Sequence, residues 1–266
     1  MGVYYETIPD SLVSWIHSQH MFWVGTAPLS GQGHINISPK GGQQFGVIDE
    51  RTFWYMDMTG SGVETHAHLH EKGNGRICVM FTAFSGPPKI VRIWGTGTPL
   101  ENGTPEYTSF ISAHKIEPSF STRSIILVSV HQCGTSCGFS VPYYDFVGHR
   151  DILDKHFAAK EKKYREGDEK ESMDRYWAWK SQKSIDGLPG MKRGVEVAKK
   201  EGIAPLKKMV GRWAPENRGG MGMEQKVEVG YLVLVLLLGM VIGGAMALSV
   251  VSPERLMALR EKSVVF

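Results

Sequence analysis

The sequence predicts a mainly β fold, a barrel of short strands flanked by helices, and three observations support this prediction. Six strand-like runs, several of them alternating in polarity, are separated by Gly, Pro and Asn residues. After Gly138 the chain becomes rich in charged residues, with apolar residues at helical spacing. The length of 266 residues suits one buried domain with appendages. Short strands broken by such turns are typical of a barrel.

The predicted elements follow this pattern from the N-terminus onward. We expect a helix over residues 1–20, because an apolar stripe follows the start signal Ile8-Pro-Asp-Ser. The predicted strands cover residues 21–27, 34–38, 53–57, 76–83, 90–100 and 124–131. Helices are predicted at 63–71 and 105–114, within the charged stretch 151–183, and within 192–213.

The composition excludes several classes of protein. A net charge of +3, with no basic stripe interleaved with aromatic residues, argues against nucleic-acid binding. Three cysteines, Cys78, Cys133 and Cys137, are too few for a disulfide scaffold, and an odd number suits a reducing compartment. The N-terminus lacks the pattern of a signal peptide, so we expect the large N-terminal part to be cytoplasmic.

The segment from Val229 to Val251 carries no charged residue. A helix of this length spans about 34 Å, which covers a bilayer core of about 30 Å. The sequence therefore predicts a membrane protein with a single-pass C-terminal anchor at 229–251. The alternative interpretation of this segment is a buried core helix, which rarely reaches this length without a polar face.

The same reading divides the chain into five parts. We expect a strand-rich domain first, then a helical extension, a flexible linker rich in Gly, the membrane helix and a short tail. Their predicted bounds are 1–148, 149–213, 214–228, 229–251 and 252–266.

Two segments look like the walls of a phosphate pocket. Strand alternation places His34, Asn36 and Ser38 on one face, with Lys40 at the mouth. The second segment, Thr59-Gly-Ser-Gly-Val-Glu-Thr65, leads into a helix whose first N–H groups are unpaired. A phosphomonoester needs such N–H donors, hydroxyls and one or two cations. On spacing alone, two ordinary glycine turns beside a surface lysine remain an equal alternative.

Five motifs in order carry a family resemblance up to about residue 190. They are Asn36-Ile-Ser-Pro-Lys-Gly41, Asp57-Met-Thr-Gly-Ser-Gly-Val-Glu-Thr65, Arg76-Ile-Cys-Val-Met-Phe-Thr-Ala-Phe-Ser-Gly-Pro-Pro88, Thr135-Ser-Cys-Gly-Phe-Ser-Val-Pro142 and Ser184-Ile-Asp-Gly-Leu-Pro189. With them the chain resembles the pyridoxamine 5′-phosphate oxidase-like family of FMN-binding split barrels. Segment 229–251 lies outside the resemblance.

The resemblance implies a six-stranded antiparallel split β-barrel that forms a homodimer, with FMN at the dimer interface. The cofactor-binding residues that we expect from the motifs are Asn36, Ser38, Lys40, Ser61, Glu64, Thr65 and Arg76. Because the flavin ring itself performs the redox step, we assign no catalytic side chain. Relatives that use deazaflavin or haem make these the alternative cofactors.

The resulting functional prediction is a membrane-tethered, FMN-dependent oxidoreductase that acts on an unidentified small molecule. Vitamin B6 oxidation is not expected, because the soluble part ends in Gly211-Arg-Trp-Ala-Pro-Glu-Asn-Arg218 instead of the closing motif of the true oxidases. The alternative function is a non-catalytic module that binds or senses flavin or haem at a membrane.

Two groups of residues invite a metal interpretation. His66 and His70 share a helix face at i, i+4 spacing, but the sequence places no third ligand beside them. His131, Cys133 and Cys137 have loose spacing for zinc and no second pair. We therefore predict no metal site.

Overall fold

The computed structural model describes residues 2–210, 237–242, 254 and 257. The described residues up to Lys208 form one compact unit, and those from Met209 onward belong to a second. In the second unit, residues 237–242 are helical. The predicted bounds of the strand-rich domain and its extension stay predictions.

The first unit is mainly β, with one curled antiparallel sheet that matches a split barrel. Its strands are β1 (Val3–Tyr5), β2 (Met21–Thr26), β3 (Asn36–Gly41), β4 (Phe45–Asp49), β5 (Thr52–Met58), β6 (Arg76–Thr82), β7 (Ile90–Glu101) and β8 (Thr122–Ser136). Seven strands run in the order β3-β2-β6-β7-β8-β5-β4, and β1 pairs with β8 off this path. The predicted six strands are all present, but the predicted number is wrong, because β1 and β4 were not expected.

Helices flank the sheet and follow it in the chain. They are α1 (Asp10–His17), α2 (Glu64–His70), α3 (Pro105–Ala113), α4 (Ile152–Arg165), α5 (Met173–Lys180) and α6 (Lys192–Glu201), with a short 3₁₀ helix at Glu169–Glu171. The predicted helix over 1–20 is too long, because residues 3–5 pair with β8 instead. Helix α6 ends at Gly202, whose φ of 67° is a left-handed conformation that favours glycine.

An aromatic cluster fills the concave side of the sheet. The ring of Phe22 lies 5.1 Å from those of Phe45 and Phe81, measured between centroids. Phe53 and Tyr55 on β5 complete the cluster, and both are fully buried. Alternate residues of each strand point into this core, which leaves the opposite faces for polar side chains.

The predicted membrane location is wrong. Within the described residues, no helix is both long enough and apolar enough to cross a membrane. Most of the predicted anchor at 229–251 lies outside the described residues, apart from 237–242. The predicted linker at 214–228 and most of the tail at 252–266 also lie outside them.

Candidate functional site

A pocket of about 270 Å³ opens where β3 meets the turn between β5 and α2. Most of its wall is polar, and the turn contributes three consecutive residues with little side-chain bulk, Gly60, Ser61 and Gly62. The residues that line the pocket are Asn36, Ser38, Pro39, Lys40, Met58, Gly60, Ser61, Gly62, Glu64, Thr65 and Arg123.

Strand β3 supplies one wall by alternation, as the sequence predicts. Asn36, Ser38 and Lys40 are half-buried on the pocket side, whereas Ile37 is 68% exposed on the other. The Asn36 amide donates hydrogen bonds to Ser38 Oγ at 3.1 Å and to Thr65 Oγ1 at 3.2 Å. The amide therefore ties the strand to the first turn of α2 across the pocket.

A buried ion cluster lies behind this wall. The Asp57 carboxylate is fully buried and accepts from Lys40 Nζ at 2.5 Å and from Arg123 Nε at 2.6 Å. Burial alone would raise the pKa of Asp57, but Arg123 and Lys40 outweigh it and hold the pKa well below its usual range. Two positive charges against one leave a net positive charge at the pocket wall, which suits a phosphate-sized anion.

This pKa shift predicts an acid-sensitive fold. The folded pKa of Asp57 lies below its unfolded value of about 3.9, so its stabilisation is complete above that pH. As pH falls through the window below about 3.9, the unfolded state takes up the proton first and stability is lost. Urea unfolding in EDTA between pH 2 and 6 measures this slope. An Asp57→Asn variant should show a flatter acid limb, and an unchanged slope would contradict the assignment.

Arg123 is the charged pocket residue that the sequence prediction missed. Its guanidinium pairs with Asp57 and also donates from Nη1 to the Gly62 carbonyl at 2.7 Å, which holds the turn in place. The predicted strand began one residue later, at Ser124. The available signal was the antiparallel pairing of β5 with β8, which brings Asp57 opposite Ser124.

Arg76 is the predicted site residue that lies away from the pocket. Its Nη2 donates to the Pro28 carbonyl at 3.2 Å, and its Nε donates to Asn74 Oδ1 at 3.3 Å. The other six predicted residues, Asn36, Ser38, Lys40, Ser61, Glu64 and Thr65, all line the pocket. Their roles toward a cofactor stay predictions.

The segment Ser184–Pro189 closes over the ends of both walls. The backbone N–H of His34 donates to Asp186 Oδ2 at 2.8 Å, just before β3. Glu64 Oε1 accepts from the backbone N–H of Ile185 at 3.3 Å and pairs with Lys208 Nζ at 3.4 Å. Lys208 thereby neutralises Glu64, so the net positive charge of the Lys40–Asp57–Arg123 cluster remains for an anion.

Comparison with known proteins finds a family match for this strand-rich part. Residues 8–137 match the family model described as pyridoxamine 5′-phosphate oxidase. All residues that line the pocket lie within the matched stretch.

One curated relative is the pyridoxamine 5′-phosphate oxidase family protein ustO of Aspergillus flavus, which is 38% identical over 147 residues. The match covers 54% of this chain and 58% of that protein, so the chain spans less than two thirds of the relative's length.

Two solved structures resemble the chain more remotely. HupZ of Group A Streptococcus is 22% identical, with a TM-score of 0.35 over 46% of this chain and 89% of that one. The FAD binding protein of Mycobacterium smegmatis is 12% identical, with a TM-score of 0.34 over 49% of this chain and 95% of that one. Neither likeness bears on the site.

Proposed function

We propose that this protein is a flavin-binding oxidoreductase that holds FMN by its phosphate in the β3–α2 pocket. The observation that carries the proposal is the pocket itself, a polar cradle with a net positive wall, inside the stretch that matches the oxidase family model. Its substrate is an unidentified small molecule.

The residues of the pocket fit the phosphate end of such a cofactor. Lys40 and Arg123 supply the cations. Hydroxyl groups come from three further residues that line the same pocket, Ser38, Ser61 and Thr65. Charge-assisted hydrogen bonds of this kind are the strong ones in phosphate recognition. Lys40 is tied to Asp57 at 2.5 Å, so its ammonium group is already oriented before any ligand arrives.

We further propose that a second copy of the chain completes the site. The pocket of about 270 Å³ is smaller than the roughly 300–1,000 Å³ that ligand sites usually provide. Ile37 on edge strand β3 is 68% exposed, and Ile35, which directly precedes the strand, is 75% exposed. Burying these two side chains against a partner copy would remove apolar surface from water and enlarge the site.

When bound, the flavin supplies the hydride or electron chemistry, and the protein supplies position and electrostatics. The cation pair and hydroxyls anchor the phosphate end, while the Asn36 bridge to Thr65 keeps the two walls at fixed separation. The wall has no free carboxylate, because Asp57 and Glu64 are both ion-paired. The site therefore favours binding and orientation over acid–base catalysis by its own side chains.

The identity of the copurifying chromophore tests the proposal. We expect the purified full-length protein to carry a flavin spectrum, to release FMN on heating, and to elute as a coloured dimer in size exclusion with light scattering. The double variant Lys40→Ala, Ser61→Ala should bind FMN about 10- to 150-fold more weakly, since it loses charge-assisted hydrogen bonds. Lys72→Ala changes an exposed lysine outside the pocket and is the control.

Each contrary outcome has a distinct meaning. A colourless protein that takes up no flavin would overturn the proposal, and an unchanged FMN affinity in the double variant would overturn the phosphate site. A Soret band would identify haem instead. Bound flavin that no reductant or candidate substrate ever reduces would favour the alternative, a non-catalytic binding or sensing module.

A further inference from the structure

Three potential metal ligands meet on the far side of the Asp57 cluster. His66 and His70 lie one helical turn apart on α2, and Glu101 ends strand β7. His70 Nε2 lies 2.9 Å from Glu101 Oε1, and His66 Nδ1 lies 3.8 Å from the same oxygen. One ligand atom from each residue lies within 4.8 Å of the other two. The sequence placed no third ligand because Glu101 is 31 residues away from His70.

One ring nitrogen of His66 lacks a hydrogen-bond partner in this cluster. His66 is fully buried, and its Nε2 contacts Ser124 Oγ at 2.9 Å and Asp57 Oδ2 at 3.3 Å. Paired with Lys40 and Arg123, the Asp57 carboxylate acts as an acceptor and favours the His66 tautomer with the proton on Nε2. His66 Nδ1 is then a bare lone pair. It has no hydrogen-bond partner in the described part of the structure, although it faces a carboxylate oxygen.

His66 Nδ1 is thus a buried acceptor without a donor, 3.8 Å from a carboxylate oxygen, and a cation between the two groups would satisfy the nitrogen. A metal ion supplies this positive charge without adding a donor to His66. We propose that His66 Nδ1, His70 Nε2 and a carboxylate oxygen of Glu101 form a binding site for a first-row divalent metal ion of the Zn²⁺ class. Two imidazoles and one carboxylate are an established zinc ligand set, with a fourth position left for water.

Further hydrogen bonds already hold these ligands in a binding orientation. The backbone N–H groups of Lys192 and Arg193, at the start of α6, donate to Glu101 Oε1 at 2.7 Å and Oε2 at 3.0 Å. The contact of His66 Nε2 with Asp57 reproduces the carboxylate–histidine–metal arrangement that orients metal ligands in proteins. Glu101 and His66 are therefore both held in place by hydrogen bonds before an ion arrives.

The route of entry is the His70 side of the cluster. His70 is 15% exposed, whereas His66 and Glu101 are buried. To bind the ion, His70 must give up its hydrogen bond to Glu101. The proton on Nε2 moves to Nδ1 of this accessible ring, and Nε2 is then free to bind the metal. The inference does not depend on a flavin, because none of its three ligands lines the β3–α2 pocket.

Zinc titration of the full-length protein tests this site. After dialysis against EDTA and its removal, we expect one Zn²⁺ per chain by calorimetry and by elemental analysis, and a higher Tm with the ion present. Co²⁺ should give the visible absorption of a site with nitrogen and oxygen ligands. His70→Ala should lower Zn²⁺ affinity at least 100-fold, and Ser124→Ala, which touches only the outer contact of His66, about 10-fold.

The matched control is His114→Ala, which removes an exposed histidine outside the cluster and should bind Zn²⁺ like the parent. Circular dichroism confirms that each variant is folded before titration. Failure to bind one Zn²⁺ per chain would overturn the proposal, as would a folded His70→Ala that binds as tightly as the parent. Nitrogen-15 shifts showing His66 protonated on both ring nitrogens at saturating Zn²⁺ would also overturn it.

Discussion

Asp57→Ala is expected to lower the free energy of unfolding by about 3–5 kcal/mol, because it breaks a buried ion pair from one side. The substitution leaves Arg123, only 4% exposed, without its carboxylate. It also leaves Lys40 beside that unpaired charge, 18% exposed. Neither cation is fully solvated. In the variant the two cations repel each other, and no carboxylate offsets the cost of their burial, so both effects destabilise the folded state.

Urea unfolding at pH 7 measures this loss, and Asp151→Ala is the matched control. Asp151 pairs with Lys155 four residues away on the surface, with both side chains largely exposed. Such exposed pairs contribute about 0–1 kcal/mol, so the control should unfold near the parent's midpoint. Equal destabilisation by the two substitutions would show that the Asp57 cluster adds nothing beyond an ordinary surface pair.

The same variant separates stability from binding. Asp57 touches no pocket space itself but orients Lys40 and Arg123, both of which line the pocket. In folded Asp57→Ala protein, loss of the carboxylate removes an anion that competes with the ligand, but it also leaves Lys40 and Arg123 less well positioned. If the free energy of anion binding changes by more than the free energy of unfolding, Asp57 is a positioning residue for the pocket.

Much of the fold follows from local sequence patterns. Several of the six longer strands alternate in polarity and all six lie between turn residues, so local patterns find each of them. The two unexpected strands, Val3–Tyr5 and Phe45–Asp49, are short, and β4 lies at the end of the sheet order. Their conformation is set by pairing with β8 and β5, which is a tertiary effect that local propensity does not report.

Part of the candidate site also follows from local sequence patterns, and part of it depends on tertiary contacts. Six lining residues come from two contiguous motifs, where strand alternation and a glycine turn already place them together. Arg123 and Glu101 could not be found in this way, because their partners are 66 and 31 residues away. Antiparallel pairing brings Arg123 to Asp57, and the packing of α2 against β7 brings Glu101 to His70. Register, not composition, determines both contacts.

Length and lack of charge at 229–251 predicted a membrane helix, but most of this segment lies outside the described residues, within which no helix is both long and apolar enough to cross a membrane. The charged stretch after Gly138 was predicted to hold helices with apolar residues at helical spacing, and it does. Helix α4 is mostly exposed, whereas α5 buries Trp177, which packs against Val63 beside the pocket turn.

Trp177→Ala is expected to lower the free energy of unfolding by about 3–5 kcal/mol, since it empties a large, well-packed position. Trp177 is 2% exposed and packs with Val63 and Met191. Its Nε1 donates to Thr59 Oγ1 at 3.0 Å, at the start of the pocket turn. Truncation therefore creates a cavity and removes the hydrogen bond that joins the extension to this turn.

Trp179→Ala, two residues along the same helix, is the matched control. Trp179 is 42% exposed, so its loss should cost no more than about 1 kcal/mol. Urea midpoints of the two variants give the difference, and similar midpoints would contradict the packing seen around Trp177. FMN affinity in the folded fraction adds a second readout. If the extension holds the turn for the ligand, Trp177→Ala weakens FMN binding while Trp179→Ala leaves it unchanged. Loss of stability alone would make Trp177 a packing residue without influence on the pocket.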